Sequence, residues 1–324
     1  MIIQVRELRK NYMTYQRGAS FRETLKSVFK RKAITVEAVK GLTFEVAEGD
    51  IVGFLGPNGA GKSTTLKMLT GVLHPTSGEV QILGFTPWKQ RKKYVRSIGA
   101  VFGQKSQLLW DIPPIDAFYM NKEIYGLEEA AFRETLDHLV ELLDVSEIIR
   151  KPTRQLSLGE RMKCEFIMAM LHRPSVVFLD EPTIGLDVIA KEKIRAFIQE
   201  MNSQGVTFIL TTHDLEDVEQ LARRVIVVNH GEIVFDDSIS ALRGFLGAKK
   251  TVRITTESAA LWDDIHGVRV LSRESETETE LELDTDKLPL KEFIRLVNEQ
   301  HTIMDMAIDA LPIDVIIKEL YQGS

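Results

Sequence analysis

Cysteine is nearly absent from the chain: Cys164 is the only one among 324 residues. An internal disulfide and a zinc site built from several cysteines are therefore excluded, and we expect Cys164 to be an inert buried thiol. Long apolar runs are also missing, since no uncharged stretch approaches the roughly 18 to 20 residues that cross a bilayer. The first seven residues lack the pattern of a secretory signal. We therefore expect a soluble chain whose role at a membrane depends on a partner.

The chain also lacks an excess of basic residues, because it has 41 Lys and Arg against 47 Asp and Glu and a net charge of −6. This balance argues against a dedicated nucleic-acid binder, and no nucleic-acid partner is expected. The hydrophobic share of 44% is enough for a substantial core. The length favours one large domain and a smaller one.

A phosphate-binding loop is the clearest chemical motif in the sequence. Its eight residues are Gly56, Pro57, Asn58, Gly59, Ala60, Gly61, Lys62 and Ser63, and Thr64 after them is also expected to bind the nucleotide. The apolar stretch Ile51–Leu55 before the loop predicts a buried strand, and the residues from Ser63 onward predict a helix. In such a loop, backbone N–H groups and the helix N-terminus surround phosphates. We expect Lys62 to reach the β- and γ-phosphates and Ser63 to bind Mg²⁺.

A phosphate loop needs a metal-binding carboxylate on a neighbouring strand. Val176–Leu179 are apolar and predict such a strand, and Asp180 follows at its end. Asp180 is therefore predicted to hold Mg²⁺. Glu181 is placed to polarise the attacking water, which makes it our candidate for the general base.

Strand and helix patterns alternate up to residue 240, which predicts an α/β core domain over 1–242. Helical patterns dominate about 105–172 and predict an inserted helical subdomain. After Gly244 and Gly247 the order becomes strand, helix, strand, strand, helix, strand, which predicts a small ferredoxin-like α+β accessory domain over 248–324. The predicted segments are 251–256, 259–265, 268–273, 279–284, 290–299 and 302–308, with 313–321 as a closing helix.

The order of several further motifs resembles the ATP-binding subunits of bacterial ABC transporters, of the export type, over roughly residues 1–240. Leu156–Glu160 resembles the signature motif of that family and Gly185–Asp187 its D-loop. Gln104 matches the glutamine-loop position and His213 the switch histidine. The resemblance implies a P-loop NTPase core of the ABC ATPase type, with ATP and Mg²⁺ as ligands.

The resemblance also implies roles for single residues. Gln104 would contact Mg²⁺ and the attacking water, and His213 would act beside it. Tyr12 would stack on adenine, with Tyr15 as a lesser candidate, and Asp187 would contribute to the nucleotide site. Tyr12 lies farther before Gly56 than is usual in the family.

The signature segment has the chemistry of a second anion site. Ser157 can cap a helix beginning near Leu158, and Gly159 allows a phosphate to approach the backbone. Glu160 is also expected to bind the nucleotide. The commonest signature of the family has glycine in place of Leu158 and glutamine in place of Glu160. One ATP cannot easily occupy both this site and Lys62 of the same chain.

In the family, the signature of one subunit closes over ATP held by another. The resemblance thus implies a head-to-tail homodimer that powers separate transmembrane permease subunits. The chain resembles export systems more than import systems. The resemblance also implies a cytoplasmic location, peripheral at the inner face of the cell membrane. The alternative is a soluble, non-transport ABC ATPase regulated through its C-terminal domain, which is expected to serve either dimerisation or sensing.

A basic insert at about 13–34 departs from the family pattern. Within it, Ser20–Lys32 has a capping box and an apolar face among basic residues, which predicts an amphipathic helix. Contact with the membrane partner or anionic lipid is one interpretation. Packing onto its own domain is the other.

Overall fold

A computed structural model describes residues 1–15, 33–103, 106–212, 215–244, 248–259, 262, 265–310 and 313–322. The chain divides into two compact units, Met1–Asp236 and Asp237–Ser324. The sequence pattern predicted domains over 1–242 and 248–324. Ser20–Lys32, the amphipathic part of the basic insert, lies outside the described residues.

Two sheets form the first unit. Their strands are β1 (Ile3–Tyr15), β2 (Ala33–Val46), β3 (Ile51–Leu55), β4 (Ser77–Ile82), β5 (Ile98–Phe102), β6 (Val176–Asp180), β7 (Thr207–Thr211), β8 (Arg224–Asn229) and β9 (Glu232–Ser238). The larger sheet has the order β5-β6-β7-β3-β8-β9, and the smaller one has the order β2-β1-β4. Neighbouring strands from β5 to β8 are parallel, and β3 and β7 are buried along their whole length. Burial on both faces explains their continuous apolar sequences.

In the smaller sheet, β1 and β2 pair in antiparallel fashion from Ile3 and Val46 to Tyr15 and Ala33. The far end of this pairing places Asn11–Tyr15 opposite Ala33–Glu37.

Seven α-helices are described in the first unit. They are α1 (Lys62–Leu69), α2 (Arg91–Tyr94), α3 (Pro114–Tyr125), α4 (Glu129–Leu143), α5 (Leu158–Met170), α6 (Val188–Ser203) and α7 (Leu215–Leu221). Three of them, α3 to α5, lie in the predicted insertion. The helices α3 and α4 both pack against α5. Because α3 ends at Gly126 and α4 at Asp144, both in the left-handed conformation, each helix has a defined C-terminus. These helices confirm the predicted helical subdomain.

The second unit contains one antiparallel sheet. Its elements are α8 (Ile239–Gly244), β10 (Lys249–Thr256), β11 (Val268–Arg273), β12 (Glu278–Asp284), α9 (Leu290–Gln300), β13 (Ile303–Ala310) and α10 (Ile313–Gln322). The strand order β11-β12-β10-β13 confirms the predicted ferredoxin-like arrangement. A helix was also predicted over 259–265, but Ala259, Trp262 and Ile265 are not helical, and the other residues of that range lie outside the described part.

The acidic stretch around β12 has two different faces. Leu281 and Leu283 are fully buried in a core with Trp262 and Phe293, as the strand period predicts. The same period predicts a solvated face for the acidic residues of this strand, but Glu282 is buried and forms an ion pair of 3.2 Å with Lys249. In the described parts of both units, no helix combines the length and apolar character needed to cross a membrane.

Candidate active site

The carboxyl ends of four parallel strands meet at one edge of the larger sheet. Phe54 pairs with Thr211, Thr211 with Asp180, and Asp180 with Phe102, so β3, β7, β6 and β5 end at the same level. The phosphate loop follows β3 directly, and Glu181 follows β6. Ligands of open α/β sheets bind beyond this edge, and the topology brings Lys62, Ser63, Asp180 and Glu181 together there.

The phosphate loop requires glycine at two positions for different reasons. Gly61 has φ of +107°, in the left-handed region. A Cβ on Gly61 would lie 2.6 Å from the carbonyl oxygen of Ala38. At Gly56, a Cβ would lie 2.3 Å from the carbonyl oxygen of Val228. The loop is therefore held tightly between β2 and β8, with α1 beginning at its end.

Lys62 is buried within this loop. Its Nζ donates hydrogen bonds to the carbonyl oxygens of Gly56, at 2.5 Å, and Pro57, at 3.1 Å. Burial lowers the pKa of the Lys62 ammonium, and the charges of Glu181 and Asp180 oppose that shift. The ammonium is thus enclosed by the loop and close to two carboxylates.

Asp180 joins two hydroxyl groups through one oxygen. Its Oδ1 accepts hydrogen bonds from Ser63 Oγ, at 2.9 Å, and from Thr211 Oγ1, at 2.5 Å. Ser63 and Asp180, two of the three residues predicted to bind Mg²⁺, are therefore in direct contact. Thr211 was missed by the sequence reading, and its signal is its position at the end of β7, level with Asp180.

Glu181 adopts an unusual backbone conformation. Its φ is +53°, a left-handed value that is uncommon for residues other than glycine. The Glu181 N–H donates to the carbonyl oxygen of Thr211, at 2.9 Å. A Cβ on Gly103 would lie 2.3 Å from the carbonyl oxygen of Glu181, so the chain after β5 runs against this turn. Backbone strain of this kind is frequent at functional sites.

Gln104 and His213 lie outside the described residues. Their described neighbours stand at the edge of the sheet: Gly103 donates to the carbonyl oxygen of Asp180, at 2.9 Å, and Thr212 to that of Phe54, at 3.4 Å. The roles of Gln104 and His213 stay predictions.

The signature segment begins α5 with a complete capping box. Ser157 Oγ accepts from the N–H of Glu160, at 3.2 Å, and the Glu160 carboxylate accepts from the N–H of Ser157, at 2.8 Å. The second of these bonds lowers the pKa of Glu160. Glutamate in place of the commoner glutamine therefore closes the cap with a charged acceptor at the positive end of the helix.

The start of α5 packs against the start of α6. A Cβ on Gly159 would lie 3.0 Å from the Cβ of Ala190, and one on Gly185 would lie 3.0 Å from Leu158 Cδ2. Asp187 is the N-cap of α6 and accepts from the N–H of Ala190, at 2.8 Å. Small residues thus bring the signature and the D-loop segment together within one chain.

Tyr12 lies in β1, opposite Val36. Its ring is exposed, and Lys10 Nζ is 5.3 Å from the ring centroid. Ala38, two positions after Val36, is the residue whose carbonyl oxygen contacts the phosphate loop at Gly61. The long ribbon of β1 and β2 therefore connects Tyr12 to that loop, whereas the side chain of Tyr15 is outside the described set.

A buried ion pair supports the turn after Glu181 and was missed by the sequence reading. Asp217, on α7, accepts a short hydrogen bond from Thr183 Oγ1 and one of 2.7 Å from Arg195 Nε, on α6. Arg195 NH2 also lies 2.6 Å from Asp217 Oδ1. The network joins the segment after the candidate base to α6 and to the helix that follows His213.

The whole arrangement is that of a P-loop ATPase, and comparisons with known proteins agree with it. The family model described as ABC transporter matches residues 39–184. The chain is 33% identical over 215 residues to the uncharacterized ABC transporter ATP-binding protein MJ1023 of Methanocaldococcus jannaschii, covering 65% of this chain and 74% of that protein. It is 32% identical over 199 residues to the bacitracin transport ATP-binding protein BcrA of Bacillus licheniformis, covering 61% and 64%.

Among solved structures, the fold is similar to the ATP-binding cassette MJ0796, determined as a dimer in a post-hydrolysis state with ADP and Pi. The TM-score is 0.60 at 23% identity, covering 73% of this chain and 98% of that chain. The chain belongs to the ABC transporter family. It is an ATPase of that family, with an ABC-type P-loop core.

Proposed function

We propose that this chain binds ATP and Mg²⁺ at the phosphate loop and hydrolyses ATP to power transport through a separate membrane protein. The observation that carries the proposal is the contact of Ser63 and Asp180 beside the buried ammonium of Lys62. A hydroxyl and a carboxylate suit Mg²⁺, which prefers oxygen ligands. The N-terminus of α1 and Lys62 suit the phosphates.

Each residue has a defined task in this proposal. Lys62 and the loop N–H groups bind and orient the phosphates, while Ser63, Asp180 and Gln104 hold Mg²⁺. That metal would neutralise charge on the phosphate oxygens. Glu181 accepts the proton of the attacking water, and His213 assists at the same edge of the sheet. Tyr12 stacks on adenine.

Two copies are proposed to form a head-to-tail dimer in which Ser157, Gly159 and Glu160 of one copy meet the phosphates bound by the other, with Asp187 nearby. Apolar residues are exposed around this surface: Leu158, Val188 and Ile189, the latter two at 71% and 74% exposure. Exposed apolar residues next to an anion site at a helix N-terminus suit an interface that closes over a nucleotide.

The membrane partner is proposed to bind on α3 and the segment before it. Five large apolar side chains are exposed there: Leu109, Trp110, Tyr119, Met120 and Ile124. A groove of about 370 Å³ lies beside them, lined in part by Gln107, Tyr125 and His172. Export is the proposed direction because the sequence resembles export-type systems, and the relative BcrA is named for bacitracin transport. The chain would then lie at the cytoplasmic face of the membrane.

Replacing Glu181 with Gln tests the hydrolytic part. The amide cannot accept the proton, so ATP should bring two copies together without turnover, and size-exclusion chromatography with light scattering should show a dimer. A Glu181→Gln/Lys62→Ala variant should stay monomeric, since it lacks the phosphate contact. Continued hydrolysis by Glu181→Gln would remove Glu181 as the base.

Replacing Ile124 with Glu tests the proposed partner surface. Co-purification with the membrane protein should be lost while ATP binding is retained. Met304→Glu is the matched control, because Met304 is a similarly exposed apolar residue in the second unit. Equal co-purification of both variants would contradict the proposed location of the partner.

A further inference from the structure

A buried carboxylate holds the segment that follows Gln104 and Lys105. Glu165, on α5, is 4% exposed. Its oxygens accept from the N–H of Gln107, at 2.9 and 3.1 Å, and from the N–H of Leu108, at 3.5 Å. The hydroxyl of Ser106 donates a further short hydrogen bond to Oε1. Three consecutive residues therefore converge on one side chain of the signature helix.

The same segment is also tied to the sheet. Gln107 Nε2 donates to the carbonyl oxygen of Ala100, in β5, at 2.5 Å. Ser106 Oγ accepts from the N–H of Leu108, at 3.2 Å, which keeps the turn closed. Residues 106–108 thus link the edge strand β5 to α5.

The chemistry of Glu165 differs from that of its helical neighbours. Cys164, Phe166 and Ile167 are fully buried and apolar, so α5 is enclosed on all sides at this level. A carboxylate among them is costly unless its oxygens receive hydrogen bonds. Burial raises the pKa of Glu165, while the Ser106 hydroxyl and the backbone N–H groups act in the opposite direction. Packing alone does not require a carboxylate here, whereas binding the 106–108 segment does.

We propose that Glu165 is a positioning residue that couples the glutamine loop to the signature motif. It lies about two turns from Ser157 and Gly159 on one rigid helix. A displacement of 106–108 would therefore move α5 through the carboxylate and carry the signature with it. The proposal rests on the proposed function, in which the signature closes over ATP held by a second copy.

The test uses the full chain carrying Glu181→Gln, in which ATP is expected to drive dimerisation. Glu165→Gln and Ser106→Ala are added singly and together. Each should raise the ATP concentration for half-maximal dimerisation about tenfold, the scale of one lost charge-assisted hydrogen bond. The combined variant should be little worse than Glu165→Gln, because the two side chains share one link. Binding of a fluorescent ATP analogue to the monomer should stay within about twofold.

Cys164→Ala is the matched control. It removes a buried atom from the adjacent position of α5 without touching 106–108, so dimerisation should keep the ATP dependence of its parent. With Glu181 intact, Glu165→Gln should lower kcat with little change in KM, since closure is impaired more than nucleotide binding.

The proposal would be overturned if Glu165→Gln and Ser106→Ala both dimerise at the same ATP concentration as the parent. An equal loss of dimerisation in Cys164→Ala would also overturn it, because the effect would then come from general packing. So would a loss of analogue binding by the monomer, because the effect would then come from the nucleotide pocket. If Glu165→Gln fails to fold, Ser106→Ala tests the proposal by the same measurements of dimerisation and analogue binding, because Ser106 is exposed. Failure of the Glu181→Gln parent to dimerise would instead refute the head-to-tail dimer, and the coupling with it.

Discussion

Replacing Arg195 with Met removes one half of a buried ion pair. The side chains of Arg195 and Asp217 are 6% and 0% exposed, and Nε and NH2 both lie within 2.7 Å of Asp217 Oδ1. The other ionic partner of Arg195, Glu216, is 60% exposed. The buried contact with Asp217 therefore decides how much stability the Arg195→Met variant loses.

An uncompensated carboxylate would remain at Asp217 in this variant. We expect the free energy of unfolding of the first unit to fall by about 3–5 kcal/mol, the usual cost of breaking a buried pair from one side. Glu216→Gln should cost about 0–1 kcal/mol, because that partner is solvated. Arg195→Met combined with Asp217→Leu should recover most of the loss, since neither charge remains buried.

Cys164 provides an assay specific to the first unit. Its thiol is fully buried on α5, and Phe166 of the same helix contacts Phe197 of α6 at 5.5 Å between ring centroids. Thiol labelling in dilute urea therefore follows opening of the unit that contains Arg195. A loss of 3–5 kcal/mol corresponds to labelling about 10² to 10⁴ times faster. A change below about 1 kcal/mol, or a double variant as unstable as the single one, would refute the reasoning.

Three further outcomes are expected. Gly61→Ala should abolish binding of a fluorescent ATP analogue, because the new Cβ would meet the carbonyl oxygen of Ala38 at 2.6 Å in a left-handed backbone; retained affinity would contradict this. Tyr12→Ala should weaken analogue binding about tenfold through lost stacking, whereas Tyr12→Phe should not. Burial raises the pKa of Cys164 to about 12. Iodoacetamide at pH 9 should therefore spare the native chain, and stability should decline as pH rises above about 8.5; rapid native labelling would show that the thiol is accessible.

Features that depend on residues a few positions apart could be predicted from the sequence. The apolar run before Gly56 predicted β3 with its bounds, Ile51–Leu55, and α5 begins at Leu158 with Ser157 as its N-cap. The alternation in the second unit predicted a ferredoxin-like arrangement, and the strand order of the sheet agrees with it. These features follow local rules of burial and capping, so neighbouring residues are enough to define them.

The sequence by itself therefore determined the phosphate loop, the signature cap and the class of fold, since each is encoded within a short stretch. Only the tertiary structure decided which side chains meet across the chain. Thr211 contacts Asp180 from 31 positions away, and Glu165 receives Ser106 from 59 positions away. The sheet order β5-β6-β7-β3-β8-β9 does not follow the chain order. Such partners are set by which strands and helices become neighbours when the core is buried, and local pattern does not specify that choice.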